Sequence, residues 1–160
     1  MRRGFETLAI AVVLLVVSSR PAHALFGATA SAGFGAQLGG DETETMGPTL
    51  EVGGYLSVPF VRALVTYATD AKENAGDASQ LRGTVRVSPP FAGIYAQAGI
   101  GVPLKSEVRD VVGYDVVLGV GKEVLSLGIA ELLLGVDYHY QTELPDIIPL
   151  EFKLTVEIGL

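Results

Sequence analysis

Leu150-Glu151-Phe152-Lys153-Leu154-Thr155-Val156-Glu157-Ile158-Gly159-Leu160 alternates without a fault, apolar at every even position and charged, polar or glycine at every odd one. Successive side chains of a strand point to opposite faces, so this period of two predicts a strand with one apolar and one polar face. The pattern runs to the last residue of the sequence. An exposed apolar edge strand is a template for aggregation, so this strand is expected to be paired on both sides. The rest of the chain reads as a sheet that closes on itself to supply that pairing.

The same alternation recurs upstream over residues 28–39, 49–58, 61–68, 81–88, 94–104, 112–121 and 131–141, with Leu64 and Leu133 out of pattern. With 150–160 that makes eight strands, an even number that lets the first and last meet antiparallel. The connections alternate in kind. The first, third, fifth and seventh are polar and mostly longer, namely Asp41 to Pro48, Asp70 to Gln80, Lys105 to Asp110 and Thr142 to Pro149. The second, fourth and sixth are short, at Pro59, at Pro89-Pro90 and over Lys122 to Ser126. In an up-and-down meander odd and even connections lie at opposite ends, so one rim is loopy and polar and the other tight. No proline beyond Pro21 is expected in mid-strand, because proline cannot donate to a ladder.

Composition narrows the class. At 160 residues the chain is one domain by length, with no cysteine for disulfides or for a lipid-anchored N-terminus. The net charge of -7 argues against a nucleic-acid partner, which needs a basic face. Mean hydropathy is high at +0.42, yet beyond the N-terminus no apolar run approaches the ~20 residues of a membrane helix. Residues 1–24 read as a secretion signal: Arg2 and Arg3, an apolar core from Leu8 to Val17, and Pro21-Ala22-His23-Ala24 as a small-x-small site cleaved after Ala24. The domain organisation expected is therefore a signal over 1–24 and a barrel over 25–160.

Alternation does not say which face is outside. A secreted lipocalin-like barrel binding an apolar ligand has the same period with the grease inside. Three features favour grease outside. The polar set is largely Gly, Ser, Thr and Gln rather than the Lys and Glu of a water-facing wall. Eight strands leave an interior just wide enough for side chains to fill. Phe60 and Phe91 fall at the tight rim, and Tyr67, Tyr138 and Tyr140 approach the loop rim, as two interfacial girdles do. Hydrocarbon cannot satisfy backbone polar groups, so a closed sheet is the form in which strands cross it. The fold class expected is all-β: a closed eight-stranded antiparallel up-and-down transmembrane β-barrel.

On these features, from the export signal to the terminal apolar strand, the chain resembles the small outer-membrane β-barrel proteins of Gram-negative bacteria, the OmpA-transmembrane-domain and OmpX-like group. The resemblance covers the chain from residue 25 onward and lies in pattern rather than in a diagnostic string. It implies an outer-membrane location, outer-membrane lipid as surroundings, and the barrel-assembly machinery as a partner during biogenesis. In that family the last strand is the assembly signal and usually ends in an aromatic residue. Leu154, Val156, Ile158 and Leu160 match the alternation, and Leu160 departs from the aromatic end.

The inward set under this reading holds Arg62, Arg82, Arg86 and Lys153 with Glu51, Asp115, Glu131, Asp137, Glu151 and Glu157. Both signs fall on neighbouring strands, and an unpaired buried charge is costly, so a network of ion pairs filling the lumen is expected, with a selective pore as the alternative. His139, with Asp137 two residues before it on the same face, belongs to that inward set. The sharper reading of His139, a Ser-His-acid site of a lipid-modifying enzyme, requires a hydroxyl in reach of the ring. No serine is tied to it by spacing, and no catalytic residue is assigned. The acids at Asp41, Glu42 and Glu44, or Asp70 and Asp77, do not match an EF-hand loop. Gly99-x-Gly101 and Gly119-x-Gly121 precede no helix. No metal, cofactor or surface ligand is read, and the role expected is structural or carried by the external loops.

Overall fold

The computed structural model describes residues 25–38, 44–70, 78–89, 93–105, 113–142 and 148–160. The signal at 1–24, Phe91 and most of the residues of the four polar connections lie outside the described residues. Eight strands form: β1 (Phe26–Leu38), β2 (Glu44–Val58), β3 (Val61–Asp70), β4 (Ala78–Val87), β5 (Ile94–Pro103), β6 (Asp115–Leu127), β7 (Ala130–Gln141) and β8 (Ile148–Gly159). Each pairs antiparallel with its neighbour in sequence, and β8 closes on β1 from Gly27 opposite Gly159 to Leu38 opposite Ile148. The closed eight-stranded antiparallel barrel is what the alternation predicts, and the terminal strand has a partner on both sides.

Register fixes the shape. From Ile158 the partners run through Ala28, Gly54, Val65, Gly83, Ile100, Val116 and Tyr140, and the β7–β8 register then carries Tyr140 to Ile148, ten residues before the start. At ~3.3 Å rise and ~4.8 Å spacing, a ten-residue stagger over eight strands tilts the strands about 40° from the barrel axis. The ten-residue strands β3 to β5 then span about 25 Å along that axis, the height of the apolar band of a membrane barrel.

Several strand boundaries differ from the sequence reading. Lys122 to Ser126 is no link: β6 continues to Leu127 and the turn is Gly128-Ile129. A register shift between Glu123 and Leu125 inserts one extra residue, which breaks the period of two and makes a continuous strand look like a connection. Pro48 does lie inside a strand, since β2 begins at Glu44. It faces Phe34 beside a second register shift, between Phe34 and Ala36, while on the other side β3 ends at Asp70 opposite Thr49. A missing N–H is tolerated where a bulge and a strand end coincide. Lastly, β4 starts at Ala78 and β8 at Ile148, so two loops are shorter than read and Pro149 is the second residue of the last strand.

Leu64 and Leu133 are not exceptions to the pattern. Both occupy inward positions and are 5% and 4% exposed, apolar members of a mostly polar interior. Phe60 ends the tight β2–β3 turn with φ of 68° after Pro59, the pattern of a type II turn with a bulky residue where glycine is usual.

Candidate functional site

The interior is where the chain places its charge. Every inward charged residue read from the sequence lies in the lumen, and the structure brings all eleven into contact with one another in two groups.

The group toward the tight turns is built on Glu157 of β8, which is fully buried and accepts from both Arg62 of β3 and Arg86 of β4. Arg62 also forks onto Glu131 of β7, with Nη1–Oε2 at 2.6 Å and Nη2–Oε1 at 3.0 Å. Each arginine lies over a tyrosine ring, Arg62 over Tyr55 at 5.2 Å and Arg86 over Tyr95 at 4.4 Å from the centroid. The rings in turn lie against glycines of the wall. A Cβ on Gly121 would stand 2.3 Å from the Tyr95 ring, and one on Gly27 2.4 Å from that of Tyr55. Wall, ring, guanidinium and carboxylate are thus stacked layers, and glycine is what lets the ring lie so close.

Toward the loop rim, Lys153 of β8 stands between Glu51 at 2.8 Å and Asp137 at 2.9 Å. Arg82 donates to Glu51 and, at 3.4 Å, to Asp115. His139 faces a carboxylate on each side, Nδ1 to Asp115 at 2.9 Å and Nε2 to Glu151 at 3.0 Å. Carboxylates only accept, so both ring nitrogens donate and the ring carries a positive charge. Thr49 donates to Glu151, and Gln80 to Asp115 at 3.2 Å. Gln97 joins the two groups, accepting from Arg86 Nε at 3.1 Å and donating to Asp137 at 2.6 Å. Between them the lumen is neutral, with Leu64, Thr66 and Thr84 buried and Ser31 bonded to Thr155 at 2.9 Å.

The chemistry open to these groups is narrow. Asp137, His139 and Glu151 could offer ligand atoms within 4.8 Å of one another to a cation. Lys153 already holds Asp137, however, and Glu151 accepts from His139 and Thr49. His139 has no nitrogen left to act as base toward a hydroxyl, and among the described residues no serine bonds to it. Two spaces in the lumen measure about 30 Å³, near Arg62 and Glu131, and about 40 Å³, near Arg82 and His139, room for a few waters. Arg82 Nε, buried without a protein partner among the described residues, is placed for such a water.

Tyr55, Tyr95, Gln97, Thr49 and Gln80 take part in the network without having been singled out as site residues. Tyr55, Tyr95, Gln97 and Thr49 sit at inward positions of the alternation, which is the signal that could have found them, whereas Gln80 falls in what reads as a loop and joins the inward face only because β4 starts at Ala78. The outward face is the complement. Leu154, Val156 and Ile158 stand exposed on the outer wall and Leu160 at its tight-turn rim. Phe26 and Phe60 are exposed at the tight rim, and Tyr67, Tyr114 and Tyr140 toward the loop rim.

A closed eight-stranded antiparallel barrel, apolar outside and ion-paired within, defines the fold class of the transmembrane β-barrels. Among solved structures the chain is similar to Neisserial surface protein A (NspA), with a TM-score of 0.54 and 12% identity over 84% of this chain and 97% of that one. At that identity the likeness is one of fold. It also matches a de novo designed transmembrane β-barrel, with a TM-score of 0.49 and 12% identity over 82% of this chain and 95% of that one. A third match is the translocator domain of the autotransporter NalP from Neisseria meningitidis, with a TM-score of 0.40 and 11% identity over 99% and 98%. No protein-family model matches the chain, and no curated protein matches it in sequence.

Proposed function

We propose that the chain is an integral outer-membrane β-barrel whose ion-paired side chains plug the lumen, and whose role is structural or exercised through the loops of its external rim. One observation carries this reading: the usual distribution is reversed. Among the described residues thirty large apolar side chains are exposed while six lumen carboxylates and their basic partners are enclosed. In water such a wall is a large unpartnered apolar surface. In hydrocarbon it is the favourable solvent contact, and closure satisfies the backbone. A lipocalin-like ligand carrier needs the opposite arrangement, an apolar cavity inside, whereas the inward face here is charged.

Under this reading residues 1–24 are an export signal removed after Ala24, and the outward row Leu154, Val156, Ile158 and Leu160 is read by the assembly machinery. The test is heat-modifiability. Protein extracted from membranes and run in SDS is expected to migrate faster unboiled than boiled, with Leu25 as the first residue of the band. Equal mobility, together with release by carbonate without detergent, would sink the membrane reading.

A further inference from the structure

Among the described side chains of the eight strands, one charge faces outward. Lys122 is exposed on β6, and its cross-strand partners are Ile94 of β5 and Leu134 of β7, both exposed on the outer wall. Directly opposed residues of an antiparallel pair share a face, so Lys122 projects from the apolar wall. It has no ion pair among the described residues. Ile94, opposite it, is the first residue of β5 after the β4–β5 connection, so Lys122 stands near the tight-turn rim. A lysine there can carry its ammonium to the headgroup level on its aliphatic stem.

Beside it runs a groove of about 970 Å³ on the outer wall. Its sides are two rows of outward side chains that cross the strands, Lys122, Leu134 and Leu154 in one and Val120, Val136 and Phe152 in the other. Because the strands tilt by about 40°, rows that cross them climb obliquely, here from the tight rim toward mid-wall. A cation at the foot of an ascending apolar slot matches one kind of molecule. A glycerophospholipid carries its phosphate at the interface and its acyl chain toward the bilayer centre.

We propose that Lys122 and this groove bind one anionic glycerophospholipid of the leaflet at the tight-turn rim, the phosphate on Lys122 Nζ and one acyl chain along the groove. Charge complementarity selects the occupant: an ammonium with three donors faces headgroups with no acid beside it on the described wall. The site rests on the membrane reading above, and the two are tested apart. Each protein is first assayed for the faster unboiled band, whose loss in the wild type would strike at the membrane reading itself. Delipidated, band-shifted protein in non-ionic detergent is then titrated with dioleoyl phosphatidylglycerol and followed by native mass spectrometry. The wild type is expected to take up one lipid preferentially. Lys122→Met should weaken that first binding about fivefold, the worth of one basic residue at an anionic surface, and Lys122→Arg should restore it. Val136→Trp, which fills the groove and leaves the lysine in place, should also weaken it. Equal binding by Lys122→Met and wild type, or equal binding of phosphatidylethanolamine and phosphatidylglycerol by the wild type, would overturn the proposal.

Discussion

At the scale of single residues, the lumen is stabilised by side chains whose partners are far apart in sequence. Glu157 holds both Arg62 and Arg86 and is fully buried. Glu157→Ala is therefore expected to cost about 3–5 kcal/mol, because two buried guanidinium groups lose a shared counter-charge. Urea unfolding of the detergent-solubilised protein, followed by loss of the fast gel band, measures it. The glycines divide by face in a way that a second comparison reads out. Gly121→Ala drives a methyl into the Tyr95 ring and the Leu134 carbonyl oxygen and is expected to cost about 1–3 kcal/mol. Gly83→Ala meets nothing within 4 Å and should be close to neutral in the same assay. Equal effects of the two would mean that the ring does not lie on the wall as described.

At the scale of the strand, depth sets the cost of a charge on the outer wall. Val65 lies in the middle of β3, between Gly54 and Gly83, whereas Val58 ends β2 at the tight turn. Val65→Arg is expected to destabilise by about 2–4 kcal/mol and Val58→Arg by about 0–1, measured by unfolding from lipid vesicles. No difference between them would argue that the wall does not face hydrocarbon. The strands themselves were legible because alternation is a local signal: all eight were found, with ends displaced by up to six residues. Two of the misreadings, at the end of β6 and the start of β2, share one cause. At Val124 and beside Pro48 a bulge inserts a residue, and a period of two cannot be followed across an inserted residue.

At the scale of the whole molecule, closure and filling make one prediction that neither a strand nor a side chain makes alone. With two ion-paired layers across the lumen and, among the described residues, small spaces of about 30 and 40 Å³ beside them, the protein in planar bilayers is expected to show no sustained conductance in molar salt. Long-lived open steps of the wild type would replace the proposed plug with a pore. The loop rim, where a surface role would reside, is the part of the barrel that the pattern of strands says least about.

The sequence by itself determined the number of strands, their antiparallel order, the closed form and which residues face inward, because a two-residue period and the turn chemistry act between neighbours in the chain. The tertiary structure alone decided which charge meets which. Glu157 bonds to Arg62 across 95 positions and His139 lies between Asp115 and Glu151, pairings set by a ten-residue stagger that no local pattern encodes. It also decided that Lys122 points out, since only the register against Ile94 and Leu134 shows on which side of a bulge the face changes.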